Sequence, residues 1–184
     1  MTDGERLRQL LRDRSVQHGD FLLASGQRSS YYIDCRLATM SAAGMDLIGR
    51  MGWQAIRDAG WHPVGVGGLT MGADPVAYAI AAASFQTDAP VDAFSVRKES
   101  KEHGTGRWIE GNFKPGDAVV VVEDVITSGG SARKAVTAIE NAGGTVLGIV
   151  AVVDREQGGK AVLESDGRRV VTLTTATELG LASP

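Results

Sequence analysis

The chain has 184 residues, 43% of them hydrophobic and 22% charged, a balance that excludes intrinsic disorder and suits one ordinary domain with its own core. Its formal net charge of −3 leaves no overall basic footprint for nucleic acid or an anionic membrane, so any bound anion needs a local site. The lone cysteine, Cys35, excludes an intrachain disulfide and a cysteine-built zinc site; with a charged N-terminal stretch and apolar runs too short to span a bilayer, it leads us to expect a soluble cytoplasmic protein.

Leu7, Leu10 and Leu11 recur at helical spacing and predict a short amphipathic helix over 5–14. Residues 31–36 are β-prone and expected to be extended. Ser41 is the expected cap of a helix running to about Asp58 and closed by Gly60. Residues 64–66 predict a short strand opening into a glycine loop, and alanine-rich 74–85 a helix with Pro75 in its first turn. Residues 91–96 read as a strand, 97–111 as a long polar excursion, and the Val run 118–122 as a strand buried on both faces. A helix over 129–141 stops at Gly143 and Gly144, followed by strands over 145–153 and 170–173. Strands alternating with helices make an α/β domain with a largely parallel sheet, and without repeat or linker we expect one domain over 1–184. Ligands of such sheets bind beyond the carboxyl ends of the strands, where polar segments 67–72, 97–106, 123–131 and 154–155 fall.

The run 119–131 carries the strongest signal. A buried strand ends in Glu123 and Asp124, passes Val125 and Ile126, and turns through Thr127, Ser128, Gly129, Gly130 and Ser131 into a helix. Free amides at a helix start attract an anion, the hydroxyls add donors, and the glycines permit close approach. Carboxylates would repel a bare phosphate, but they suit a ligand that also presents hydroxyls or arrives with a divalent cation. A Walker loop is absent, and the string from Gly65 has Thr70 where a dinucleotide fingerprint needs its third glycine. The run VVVVEDVITSGGS resembles the phosphoribosyl-pyrophosphate motif of the type I phosphoribosyltransferases.

Arg97, Lys98, Lys101 and His103 crowd one polar segment ending at Gly104; alone such a charge run reads as a solvated loop. The string R-K-E-x-K-x-H-G, however, resembles the loop of the orotate phosphoribosyltransferases, as does F-x-L-x-S-G-x-x-S-x-Y from Phe21 to Tyr31. That resemblance implies a mostly parallel sheet flanked by helices, a small N-terminal hood (1–40) and a flexible catalytic loop (97–111). It implies transfer of ribose 5-phosphate from 5-phosphoribosyl 1-pyrophosphate to orotate, in a homodimer whose loop 97–104 is shared across the interface. Arg97, Lys98, Lys101 and His103 would hold pyrophosphate, while Glu123, Asp124 and 125–131 would hold the ribose phosphate. Lys101, Lys98, His103 and Asp124 would be catalytic, and Thr127, Arg155 and Tyr32 would bind orotate. Mg²⁺ would arrive mainly on the pyrophosphate, with no protein-built metal site and no nucleic-acid partner. Many members have lysine where this chain has Ala24 and Met71; either the cationic loop suffices, or Arg28 or Arg36 substitutes, with backbone amides around 70–72 still able to hold pyrophosphate. A transferase for another base, and a regulator that keeps the fold without turnover, are the alternatives; the complete loop and Arg155 oppose them.

Overall fold

The computed structural model describes residues 1–22, 28–99 and 108–181, so the expectations at Ala24, Ser25, Gly26, Lys101, His103 and Gly104 lie outside the described residues. Helix α1 (Asp3–Arg14) opens with Thr2, whose hydroxyl accepts from the Glu5 amide at 3.2 Å while the Glu5 carboxylate accepts from the Thr2 amide at 2.6 Å. This reciprocal cap fixes the start, and Leu7 and Leu11 are buried as their spacing predicts. Strands β1 (Val16–Leu22) and β2 (Arg28–Ile33) then form an antiparallel hairpin. β1 was not anticipated, because its sequence VQHGDFL has no apolar alternation to betray a strand.

The extended run expected over 31–36 is shorter than that. β2 ends at Ile33, and Arg36 begins the short helix α2 (Arg36–Thr39), because Asp34 turns the chain by accepting from the Arg36 amide at 3.1 Å. Helix α3 (Ala42–Asp58) is capped by Ser41, which accepts from the Gly44 amide at 3.1 Å, and left-handed Gly60 (φ 72°) follows its end. It packs closely on α4 (Ala73–Ser84): a Cβ at Gly49 would lie 2.4 Å from the Ala79 carbonyl oxygen, so only glycine allows this approach.

The main sheet comprises β3 (Gly65–Leu69), β4 (Asp92–Val96), β5 (Ile109–Gly111), β6 (Ala118–Ile126), β7 (Thr145–Asp154) and β8 (Val170–Thr175), in the spatial order β5-β4-β3-β6-β7-β8. All neighbours pair in parallel except β4 with β5. The valine run of β6 explains itself by its two-residue period. Val120 and Val122 enter the core beneath α3 and α4, whereas Val119 and Val121 enter the second core beneath α5 (Gly130–Asn141) and α6 (Gly159–Ser165). Each such side chain fully buried stabilises the fold by about 1.5–3 kcal/mol.

Three boundaries differ from expectation. Gly67 and Gly68 belong to β3 rather than to a loop, since a Cβ at Gly68 would sit 2.1 Å from the Val122 oxygen. β6 continues through Ile126, so Glu123 and Asp124 are strand residues, and the excursion from Arg97 returns as β5. The step from β3 to β4 and the steps from β6 to β7 and β8 run in opposite directions across the sheet, which places a topological switch point between the carboxyl ends of β3 and β6. Among the described residues no helix is long and apolar enough to cross a membrane.

Candidate active site at the switch point

β3 stays paired with β6 only as far as Gly67 opposite Val121, while β7 follows β6 to Ile126. The last turn-bound stretch of β6 therefore has one edge open to the β3–α4 connection. In that connection the Thr70-Met71 peptide is cis, and the Thr70 hydroxyl donates to Asp74 Oδ2 at 2.6 Å. Gly72 abuts the Asp124 carboxylate: a Cβ there would fall 2.6 Å from Asp124 Oδ1. Met71 itself is exposed and brings no charge.

The two acids are not equivalent. Glu123 is buried, and its Oε1 accepts from the Asp124 amide at 3.1 Å, while Asp124 Oδ1 accepts from the Val125 amide at 2.9 Å. Burial pushes the Glu123 carboxyl well above its ordinary 4.5, a hydrogen bond to Asp124 and that group's charge push it the same way, and the Lys98 ammonium opposes them. Burial thus disfavours the carboxylate form in the fold, so the stabilisation this group gives is complete below 4.5 and is lost as pH rises through the folded value. Glu123→Gln is accordingly expected to melt like the parent near pH 4 and above it at pH 7, by about 2–4 °C for each kcal/mol relieved. A Tm difference that stays flat across that pH range would contradict this account of the pair.

After Ile126 the chain forms a concavity of about 210 Å³ lined by residues 123–132. Gly129, at φ 80°, precedes α5, and no side chain caps the helix start, which leaves its first amides available to an anion. The loop is clamped from behind by the Gly159 amide donating to the Thr127 oxygen at 3.1 Å and the Arg155 amide donating to the Ile126 oxygen at 2.9 Å. A Cβ at Gly129 would crowd the Gly159 oxygen at 3.0 Å, so glycine serves both the backbone angle and the packing.

Arg155 leaves the end of β7 and turns inward. It is only 5% exposed, its guanidinium carbon lies 5.0 Å from the ring centre of buried Tyr31, and its Nε and one terminal nitrogen have no hydrogen-bond partner among the described residues. A surface ion pair with Glu156 is ruled out, because Glu156 points away and accepts from the Thr177 amide at 2.7 Å. Alternation along β2 puts Tyr31 on the Arg155 side and Tyr32 on the other, where it meets Phe21 at 5.7 Å between ring centres. Cys35, unmarked by sequence reasoning, is buried close to both ends of the site. Burial and then the Asp124, Asp34 and Glu123 charges push its thiol up, while Arg155 pulls it down.

At the root of the polar loop the Arg97 amide donates to the Trp108 oxygen at 2.8 Å, and the Arg97 guanidinium meets Glu110 at 3.3 Å. Arg28 is tied to Asp20 on the hairpin, whereas Arg36 is gripped by Asp34 through two bonds of 2.8 and 2.9 Å and feels the Asp124 charge. Among the described residues no group of three or more His, Cys, Asp or Glu is placed to hold a metal. The arrangement unites an anion cradle, two carboxylates able to take sugar hydroxyls or a hard cation, and a buried cation waiting for a planar anion.

The sequence model of the phosphoribosyl transferase domain matches residues 39–174. Orotate phosphoribosyltransferase of Aquifex aeolicus is 43% identical over 182 residues, covering 97% of this chain and 98% of the relative. The crystal structure of the Mycobacterium tuberculosis H37Rv orotate phosphoribosyltransferase in complex with 5-phospho-alpha-D-ribosyl 1-diphosphate has a TM-score of 0.83 and 40% identity, covering 98% of this chain and 100% of that one. The same enzyme in complex with Fe(III) dicitrate gives a TM-score of 0.86 and 43% identity, at the same coverage of 98% and 100%.

Proposed function

The chain belongs to the orotate phosphoribosyltransferases of the phosphoribosyl transferase domain family, and from that premise we propose how its residues divide the reaction. The activity moves ribose 5-phosphate from 5-phosphoribosyl 1-pyrophosphate to orotate: the bond from C1 to the pyrophosphate oxygen breaks, that oxygen keeps the electron pair, and a ring nitrogen of orotate bonds C1 as its proton passes to the departing pyrophosphate or to water. Thr127, Ser128, Gly129, Gly130 and Ser131 hold the 5′-phosphate, which the open start of α5 supports. Glu123 and Asp124 take the ribose hydroxyls, and their charge favours the cationic character that C1 gains as pyrophosphate departs. Arg97, Lys98, Lys101 and His103 receive that pyrophosphate.

Buried Arg155, with two guanidinium nitrogens unpartnered among the described residues, is the observation that carries the choice of orotate, because its fork suits a carboxylate. Thr127 lies between this end and the cradle, and Tyr31 joins the orotate end by packing on Arg155. Arg36, which feels the Asp124 charge, is the arginine we assign to make up for the lysines absent at Ala24 and Met71, while Arg28 is tied to Asp20 on the hairpin. The donor set fits Mg²⁺, with hard carboxylate oxygens at Glu123 and Asp124 and too few other ligands for a cage. When bound on the substrate, the ion would offset the pyrophosphate charge.

One domain over 1–184 acts as a homodimer in this reading. Met40 just after α2, Met45 on α3 and Tyr78 on α4 are 49%, 39% and 49% exposed, and Met71 beside the site is 57% exposed; this apolar set suits burial against a second copy. A cytoplasmic setting accords with the buried free thiol of Cys35. The direct test supplies phosphoribosyl pyrophosphate and Mg²⁺ with orotate, uracil or a purine in separate reactions. Orotate absorbance should fall and the other bases should persist; turnover of another base with orotate untouched would sink the assignment.

A further inference from the structure

On the face of the sheet that carries α5, that helix packs over β3, β6 and β7 and only touches β4 at its margin, so β5 lies at most at the edge of its cover. The gap is a groove of about 1270 Å³. Its floor is apolar and fixed: Phe113 packs on Phe94 with ring centres 5.5 Å apart, and Gly144 closes over Phe113 so tightly that a Cβ would lie 2.7 Å from the ring. Trp108 lines the groove and is 46% exposed, whereas the other tryptophans, Trp53 and Trp61, are buried. The rim is cationic, with Lys98, Lys114, Arg133 and Lys134 and no carboxylate among its described lining residues. Alternation along β5 accounts for that asymmetry, since Ile109 and Gly111 face the groove and Glu110 between them engages Arg97. Arg133 is partly neutralised by Asp166 at 2.8 Å, but Lys114 and Lys134 have no ion pair among the described residues.

We propose that this groove is a second ligand site, for a nucleoside triphosphate. An exposed indole offers a stacking face to a base, and the lysines match a chain of phosphates, with Asp166 and Asp117, the acids bonded to Arg133 and to the Lys114 amide, outside the described lining. The volume exceeds the roughly 300–1,000 Å³ usual for such ligands, so base and triphosphate fit together. The groove also reaches the transfer site at both of its ends, through Gly130 of the cradle helix and through Lys98, whose charge acts on Glu123. An occupied groove draws Lys98 toward its own phosphates and lowers turnover. This effect on turnover rests on the role given to Lys98 above; the binding itself does not.

The test uses the full chain with its transfer site filled by excess orotidine 5′-monophosphate, titrated separately with ATP, UTP and inorganic tripolyphosphate while tryptophan emission is followed. ATP or UTP should quench the emission and bind at least tenfold tighter than tripolyphosphate. Trp108→Phe should remove the quench, and Lys114→Glu with Lys134→Glu should weaken binding at least tenfold while turnover without nucleotide stays unchanged. If the charge reversals unfold the chain, Lys114→Gln and Lys134→Gln report the same loss more mildly. Three results would overturn the site: nucleotide binding that orotidine 5′-monophosphate abolishes, binding indifferent to both lysines, or tripolyphosphate binding as tightly as nucleotide.

Discussion

Arg155→Met is expected to cut kcat/KM for orotate by about 30-fold to a few thousand-fold, leave the KM for phosphoribosyl pyrophosphate nearly unchanged, and raise Tm. The first effect follows from removing one partner of a buried charge-assisted pair, which costs about 2–5 kcal/mol. The second follows because Arg155 lies beyond the cradle, at the end of β7, and meets Tyr31 rather than the 123–131 concavity. The third is a matter of relative size. Holding a guanidinium in the interior with Nε and one terminal nitrogen unpartnered among the described residues costs several kcal/mol, against about 0.5–2 kcal/mol returned by the Tyr31 ring face. Methionine fills similar space without that cost, so the free protein should gain stability as it loses its base. Arg155→Lys keeps the charge but not the fork, and should fall between the two in orotate KM. Steady-state kinetics with each substrate varied, alongside a melting curve, decide the matter; an unchanged orotate KM in Arg155→Met removes Arg155 from the base end.

This position also shows what a sequence can and cannot disclose. The cradle was legible because its parts are local: a valine strand, two acids, hydroxyls and glycines in one run of thirteen residues, each with its own chemical reason. Arg155 taken alone reads better as a surface pair with Glu156, and only the resemblance assigned it to orotate; burial and the turn of Glu156 toward Thr177 are tertiary facts. Tyr32 was the tyrosine expected at the orotate end, and only the face that β2 acquires sets Tyr31 against Arg155 and Tyr32 against Phe21; Cys35 gave no signal because nothing in its neighbours hints that the acids and Arg155 act on it. Among elements, those with period and caps were readable, such as α3 with Ser41 and Gly60. Those held by partners elsewhere were not: β1 depends on β2, β5 on β4, and the glycines of β3 on the Val122 and Phe94 carbonyls. The groove beside α5 had no trace at all in the chain order, because Lys98, Trp108, Lys114 and Lys134 converge only at the sheet edge.

Lys101→Ala carries the largest expected loss in kcat, a fall of about 100- to 1,000-fold, the scale on which a single group that meets developing charge contributes. Its Tm should match the parent, since the expected role lies with departing pyrophosphate and not with the fold. The informative form of the experiment pairs it with Asp124→Asn, which spoils the cradle half of the site. If the loop of one protomer serves the site of the other, a hybrid dimer contains one complete site, formed from the intact cradle of the Lys101→Ala protomer and the intact loop of the Asp124→Asn protomer. Random exchange makes about half of the dimers hybrid, so the mixture should recover about a quarter of parental turnover. Recovery requires the subunits to exchange, which a parallel measurement with differently tagged copies would establish. Exchange without recovery would place the loop in its own subunit's site and leave exposed Met40 and Met45 as an interface that shares no catalytic group. Recovery near a quarter would make the second copy part of the active site, and the Met40, Met45 and Tyr78 surface the contact that brings it there.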